Sequence, residues 1–116
     1  MQKTLEPETK IFELHAALCQ TLANPVRLRI LNALMNGEKS VNQLVELIGA
    51  PQANISQHLA VLRERNIVTT RRDGVSIYYS IANPKIIKAC NLIREVLFDQ
   101  MAATGELAKK YEKLTK

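Results

Sequence analysis

Three residues, Gly49-Ala50-Pro51, separate two short stretches of helical periodicity, and this spacing is the tightest constraint the sequence places on its own fold. Ser40 and Gln43 stand at the spacing of a capping box, in which each side chain satisfies a backbone N–H left free at a helix start. The segment "SVNQLVELIG" is therefore read as a short helix that stops at Gly49. Pro51 opens the next helix, where Ile55, Leu59 and Leu62 recur at core spacing with Val61 flanking them. Two helices joined so tightly must turn at once and share a core, which is helix-turn-helix architecture.

The flanking segments extend this pattern. Phe12, His15, Cys19 and Leu22 fall on one face of a first helix ending near Ala23. Asn24 caps a second helix with Pro25 in its first turn; Leu28, Leu31 and Leu34 point inward, Arg27 and Arg29 outward, and Gly37 supplies a left-handed stop. Alternation from Ile67 to Ile81 signals two strands, and Asp73-Gly74 is the expected hairpin turn because both residues tolerate positive φ. Asn83-Pro84 then starts a long fifth helix with Ile86, Cys90, Ile93 and Leu97 on one face. The predicted class is mainly α with a small β-hairpin, a winged helix-turn-helix. Residues 1–7, polar and containing Pro7, are expected to form a flexible tail, residues 8–102 one domain, and residues 103–116 a C-terminal tail with some helical spacing.

Composition narrows the function. Aromatics make up 4% of the chain against 47% hydrophobic residues overall, which suits aliphatic helix packing and not an aromatic-lined pocket. The net charge of +5 favours a polyanionic partner. No apolar run approaches the roughly 18 residues of a membrane span, and the polar start resembles no signal peptide, so a cytoplasmic protein is expected. Cys19 and Cys90 are far apart in sequence, and in a reducing compartment they are not expected to form a structural disulfide. With no paired carboxylates, Gly-rich phosphate loop, zinc spacing or Ser-His-acid set, an enzyme is not expected.

With its inward stripe committed, the fourth helix turns Ala53, Ser56, Gln57, Ala60 and Arg63 outward. These small, mostly uncharged side chains would let a helix settle into a major groove. There Gln57 can pair with adenine, Ser56 can donate or accept, and alanines can meet thymine methyls. Arg71 and Arg72 on the wing, Arg63 and Arg65 at the end of the helix, and Asn54 near its start are candidates for phosphate contacts. His58 lies nearer the core and reads first as a hydrogen-bonded, partly buried histidine, second as a phosphate contact. The alternative is a winged-helix interaction module that meets an acidic protein without reading DNA.

"LANPVRLRIL", "NISQHLAVLRERNIV" and "RRDGVSIYYSI" together resemble the ArsR/SmtB family of winged-helix repressors, over roughly Leu14 to Leu97. The resemblance implies a homodimer built through the first and fifth helices, binding an inverted-repeat DNA operator and releasing it when an inducer is sensed. Such a pair of chains carries about +10, which predicts a steep salt dependence of binding. Pro51 stands where the family often has a capping serine, which bears on contacts from Gln52 more than on those from Gln57.

The family's sensor sites are not reproduced. The third helix has no Cys-x-Cys pair, and at the fifth-helix metal positions Asn83, Lys85, Val96 and Asp99 offer only one ligand. Near the places of the persulfide-sensing cysteines stand Asn32 and Phe98. What remains is Cys19 with His15 one turn before it, and Cys90. These are either inert core thiols, a redox or reactive-sulfur switch, or a set of two sulfurs and an imidazole suited to a thiophilic metal ion.

Overall fold

The computed structural model describes residues 2–102 and residue 104. Its elements are α1 (Gln2–Leu22), α2 (Pro25–Leu34), β1 (Lys39–Ser40), α3 (Val41–Ile48), α4 (Gln52–Glu64), β2 (Val68–Asp73), β3 (Ser76–Ile81) and α5 (Lys85–Ala102). The chain divides after Ala82 into two compact units. The C-terminal tail expected from residue 103 onward lies outside the described residues, apart from Thr104, whose N–H bonds the Met101 carbonyl.

In the first unit, α1 is helical from Gln2 with Pro7 inside it. Asn24 caps α2 as expected, its side chain accepting from the Val26 and Arg27 N–H groups at 2.9 and 3.1 Å. Ile30, Leu31 and Leu34 are the buried residues of α2, so the inward stripe includes Ile30, while Leu28 is half-buried. The capping box of α3 is complete: the Ser40 N–H donates to Gln43 Oε1 at 2.8 Å and the Gln43 N–H to Ser40 Oγ at 3.3 Å. Gly49 ends α3 at φ 76°, a left-handed conformation that glycine adopts without steric cost.

The core of this unit is aliphatic. Ile30, Leu31, Leu34, Leu44, Ile48, Ile55, Leu59 and Leu62 converge from α2, α3 and α4, closed by Ile67 and Val68. After α4 the chain turns through Asn66 at φ 63°, with Ile67 N–H reaching the Leu62 carbonyl at 2.8 Å and Asn66 N–H the Arg63 carbonyl at 3.0 Å. This pair of bonds is a Schellman motif, and its apolar residues Leu62 and Ile67 are both buried. It fixes the direction in which β2 leaves the helix.

The sheet has three antiparallel strands in the order β1-β3-β2, so the hairpin gains a third strand from Lys39 and Ser40. Asp73 pairs with Ser76, which makes Gly74-Val75 the two-residue loop and corrects the expected Asp73-Gly74 turn. Gly74, at φ 64°, takes the single left-handed position that a type II′ turn requires at its first central residue. In the second unit, α5 starts where the Lys85 N–H donates to Asn83 Oδ1 at 3.0 Å. No helix is long and apolar enough to cross a membrane among the described residues.

Candidate nucleic-acid interface

The sequence of α4 sorts its side chains by period. Ile55, Leu59 and Leu62 are fully buried, whereas Gln52, Ala53, Asn54, Ser56, Gln57, Ala60 and Arg63 are exposed, as the 3.6-residue repeat requires. The exposed face is short-chained and mostly neutral. Pro51 is the N-cap and contributes no side-chain bond, so α4 starts at Gln52 with first-turn N–H groups that lack a side-chain cap.

His58 is half-buried, and its Nδ1 accepts a hydrogen bond from Arg27 Nε at 3.1 Å. The Nδ1 atom must therefore be unprotonated. Burial lowers the histidine's pKa below its ordinary value, and the neighbouring Arg27 charge lowers it further. Arg27 also donates through Nη1 to the Thr21 carbonyl at 3.0 Å, and Arg29 donates through Nη2 to the Ile48 carbonyl at 2.7 Å. Arg29 is exposed and Arg27 half-buried, in keeping with their expected outward placement, and each also fastens α2 to a neighbouring helix. The sequence held no local sign of this, because 31 residues separate Arg27 from His58.

Strand alternation divides the wing into two faces. Val68, Thr70 and Arg72 lie on one, opposite Ile81, Tyr79 and Ile77; Thr69, Arg71 and Asp73 lie on the other, opposite Ser80, Tyr78 and Ser76. Arg72 is exposed near the tip. Arg71 is engaged: Nε donates to Glu38 Oε1 at 3.1 Å, Nη2 to Glu38 Oε2 at 2.6 Å, and the guanidinium lies 4.9 Å from the centre of the Tyr78 ring. Asp73 Oδ2 adds a longer approach at 3.9 Å. The hydrogen bond from Arg71 holds the Glu38 carboxyl below the usual range, and Glu38 in turn raises the pKa of Arg71. Sequence reasoning missed Glu38 entirely. Its position two residues before Ser40, which pairs with Tyr78, becomes informative only once β1 is known to join the sheet.

The thiol residues are placed differently from one another. Cys19 and His15 are exposed on α1, and Cys90 is buried, where desolvation pushes its thiol pKa up. Among the described residues no three His, Cys, Asp or Glu side chains form a group able to hold a metal ion.

A compact helix-turn-helix with a neutral outer face on its second helix, followed by a basic three-stranded wing, defines a winged helix-turn-helix DNA-binding regulator. Residues 24–70 match the family model for bacterial regulatory proteins of the arsR family. The chain belongs to the ArsR family and is a DNA-binding transcriptional repressor. It is 34% identical over 110 residues to the nodulation protein NolR of Rhizobium meliloti, spanning 91% of this chain and 90% of that protein. The crystal structure of the transcriptional repressor BigR from Xylella fastidiosa is 35% identical and superposes with a TM-score of 0.65, covering 80% of this chain and 92% of that one. A solution structure of the homodimeric winged helix-turn-helix domain of Mb0332 from Mycobacterium bovis is 28% identical, with a TM-score of 0.72 over 81% of this chain and 87% of that one.

Proposed function

We propose that this chain works as a cytoplasmic, non-enzymatic homodimer that binds an inverted-repeat operator through the outer face of α4. The observation that carries the reading is the pairing of a fully buried Ile55, Leu59, Leu62 stripe with exposed Ser56 and Gln57 on the same helix. In this reading Gln57 and Ser56 meet base edges, with Gln52 and Asn54 at the entry to the groove. Arg63 and Arg72 meet phosphates, and His58 holds the helix through Arg27 and does not itself touch DNA.

Dimerisation is supported by apolar surface on two helices. On α1, Ile11, Phe12, Leu14 and Leu18 are 39–68% exposed; on α5, Leu92, Ile93, Val96 and Leu97 are 48–66% exposed. Contiguous apolar stripes of this kind on a monomer mark surfaces that another chain covers. The description of the Mycobacterium bovis relative as homodimeric supports the same conclusion. Two-fold pairing would present two copies of α4 to successive major grooves.

The deciding experiment selects duplexes from a random pool and measures binding of wild type and Gln57→Ala by fluorescence anisotropy on the selected operator and its single-base variants. Gln57→Ala should lose about 1–3 kcal/mol on the operator, with the loss confined to one base pair per half-site. Equal weakening on every sequence would remove Gln57 from base readout. Absence of any salt-dependent duplex binding would favour the protein-interaction alternative. Any thiol-directed release rests on Cys19, since burial keeps Cys90 a neutral, poorly nucleophilic thiol. Release from DNA by oxidant should then disappear in Cys19→Ser, and full release in that variant would exclude it.

A further inference from the structure

The Arg71–Glu38 contact joins the wing to the segment leading into α3, across 33 residues of sequence. It is bidentate, in the two-donor geometry with which a guanidinium also grips a phosphate. A carboxylate in this position occupies the donors that DNA would use. Both side chains are about half exposed, at 54% and 40%, so solvent screens the pair and a phosphate has access to its place. The backbone explains why the two meet. Ser40, Tyr78 and Arg71 are successive partners across the three strands, and alternation puts Glu38, two residues before Ser40, on their face. Tyr78 beneath the guanidinium fixes its plane against the carboxylate.

We propose that Glu38 competes with DNA phosphate for Arg71: it occupies this arginine in the free protein, keeps it from adding to the phosphate contacts of Arg63 and Arg72, and so lowers affinity for duplex of any sequence, leaving operator recognition to α4. This rests on the DNA-binding reading above. Glu38 is thus a positioning residue that acts on DNA only through Arg71. Removing its charge frees one cation per protomer to neutralise a phosphate and release a counterion.

The test is a double-mutant cycle on a random-sequence duplex, with binding measured by fluorescence anisotropy over a series of salt concentrations for wild type, Glu38→Gln, Arg71→Ala and the double variant. Glu38→Gln should bind several-fold more tightly at low salt, and its plot of log K against log salt should steepen by about 0.9 per protomer. Arg71→Ala should lie close to wild type, and the double variant close to Arg71→Ala. Glu38→Ala should reproduce Glu38→Gln, and thermal unfolding should establish that all variants are folded. Equal tightening by Glu38→Gln with or without Arg71 would show only the loss of a negative charge, and would overturn the proposal. So would weakened binding by Glu38→Gln, which would mean that the carboxylate orients Arg71 toward DNA. A wild type that binds no duplex would sink the DNA-binding reading itself, whereas binding without coupling between the two sites would sink this inference alone.

Discussion

Protonating His58 would place a hydrogen on the atom that accepts from Arg27 Nε, so the contact is compatible only with the neutral imidazole. Because burial and then the Arg27 charge lower its folded-state pKa, the unfolded chain binds the proton more readily. The stabilisation is fully present above the unfolded value of about 6.5 and is lost as pH falls through the lower folded value. Denaturant titrations of wild type should therefore show stability falling on acidification below about pH 6.5, and His58→Gln should flatten that part of the curve. An unchanged curve would mean that the Arg27 contact contributes nothing. The side chains with outward roles on α4 were legible in the sequence because helical period alone sorts them. The engagements of Arg27, Arg29 and Arg71 were not, since each depends on a partner 19 to 33 residues away.

Local signals fixed most of the elements. The capping box, the left-handed Gly49 and the three-residue spacing to α4 are all short-range geometry, and α3 and α4 appear where they imply. Ser40→Ala should cost about 1 kcal/mol of stability, because the Gln43 N–H then loses its side-chain partner; urea denaturation measures it, and a change near zero would show that water replaces the hydroxyl. The hairpin was legible as a hairpin but its register was not. Asp-Gly is a strong turn signal, yet Asp73 pairs with Ser76 and the turn moves one residue on, leaving Val75 fully exposed at the tip. Register in a half-buried wing is set by which face meets the core, and Val68 and Ile81 decide that from the other end. The two-residue strand β1 is too short to carry any period and exists only because β3 is there to pair with it.

At the scale of the molecule, a helix of 21 residues in which Thr21 alone is buried among the described side chains has its apolar face still to be covered. Phe12→Glu and Ile93→Glu, each placing a charge on an exposed apolar stripe, should shift the protein from dimer to monomer in sedimentation velocity and abolish operator binding with it. Tight operator binding by a monomeric variant would contradict the two-fold arrangement. The helix boundaries near α2, α3 and α4, the core stripe of α4, the presence of a wing and the family were all legible in the chain, because caps, periods and glycine conformations act over a few residues. Tertiary structure alone decided that Arg71 faces Glu38, that Arg27 holds His58, and that a third strand completes the wing. Those outcomes depend on distances between segments far apart in the chain, which become fixed only when the core brings them together.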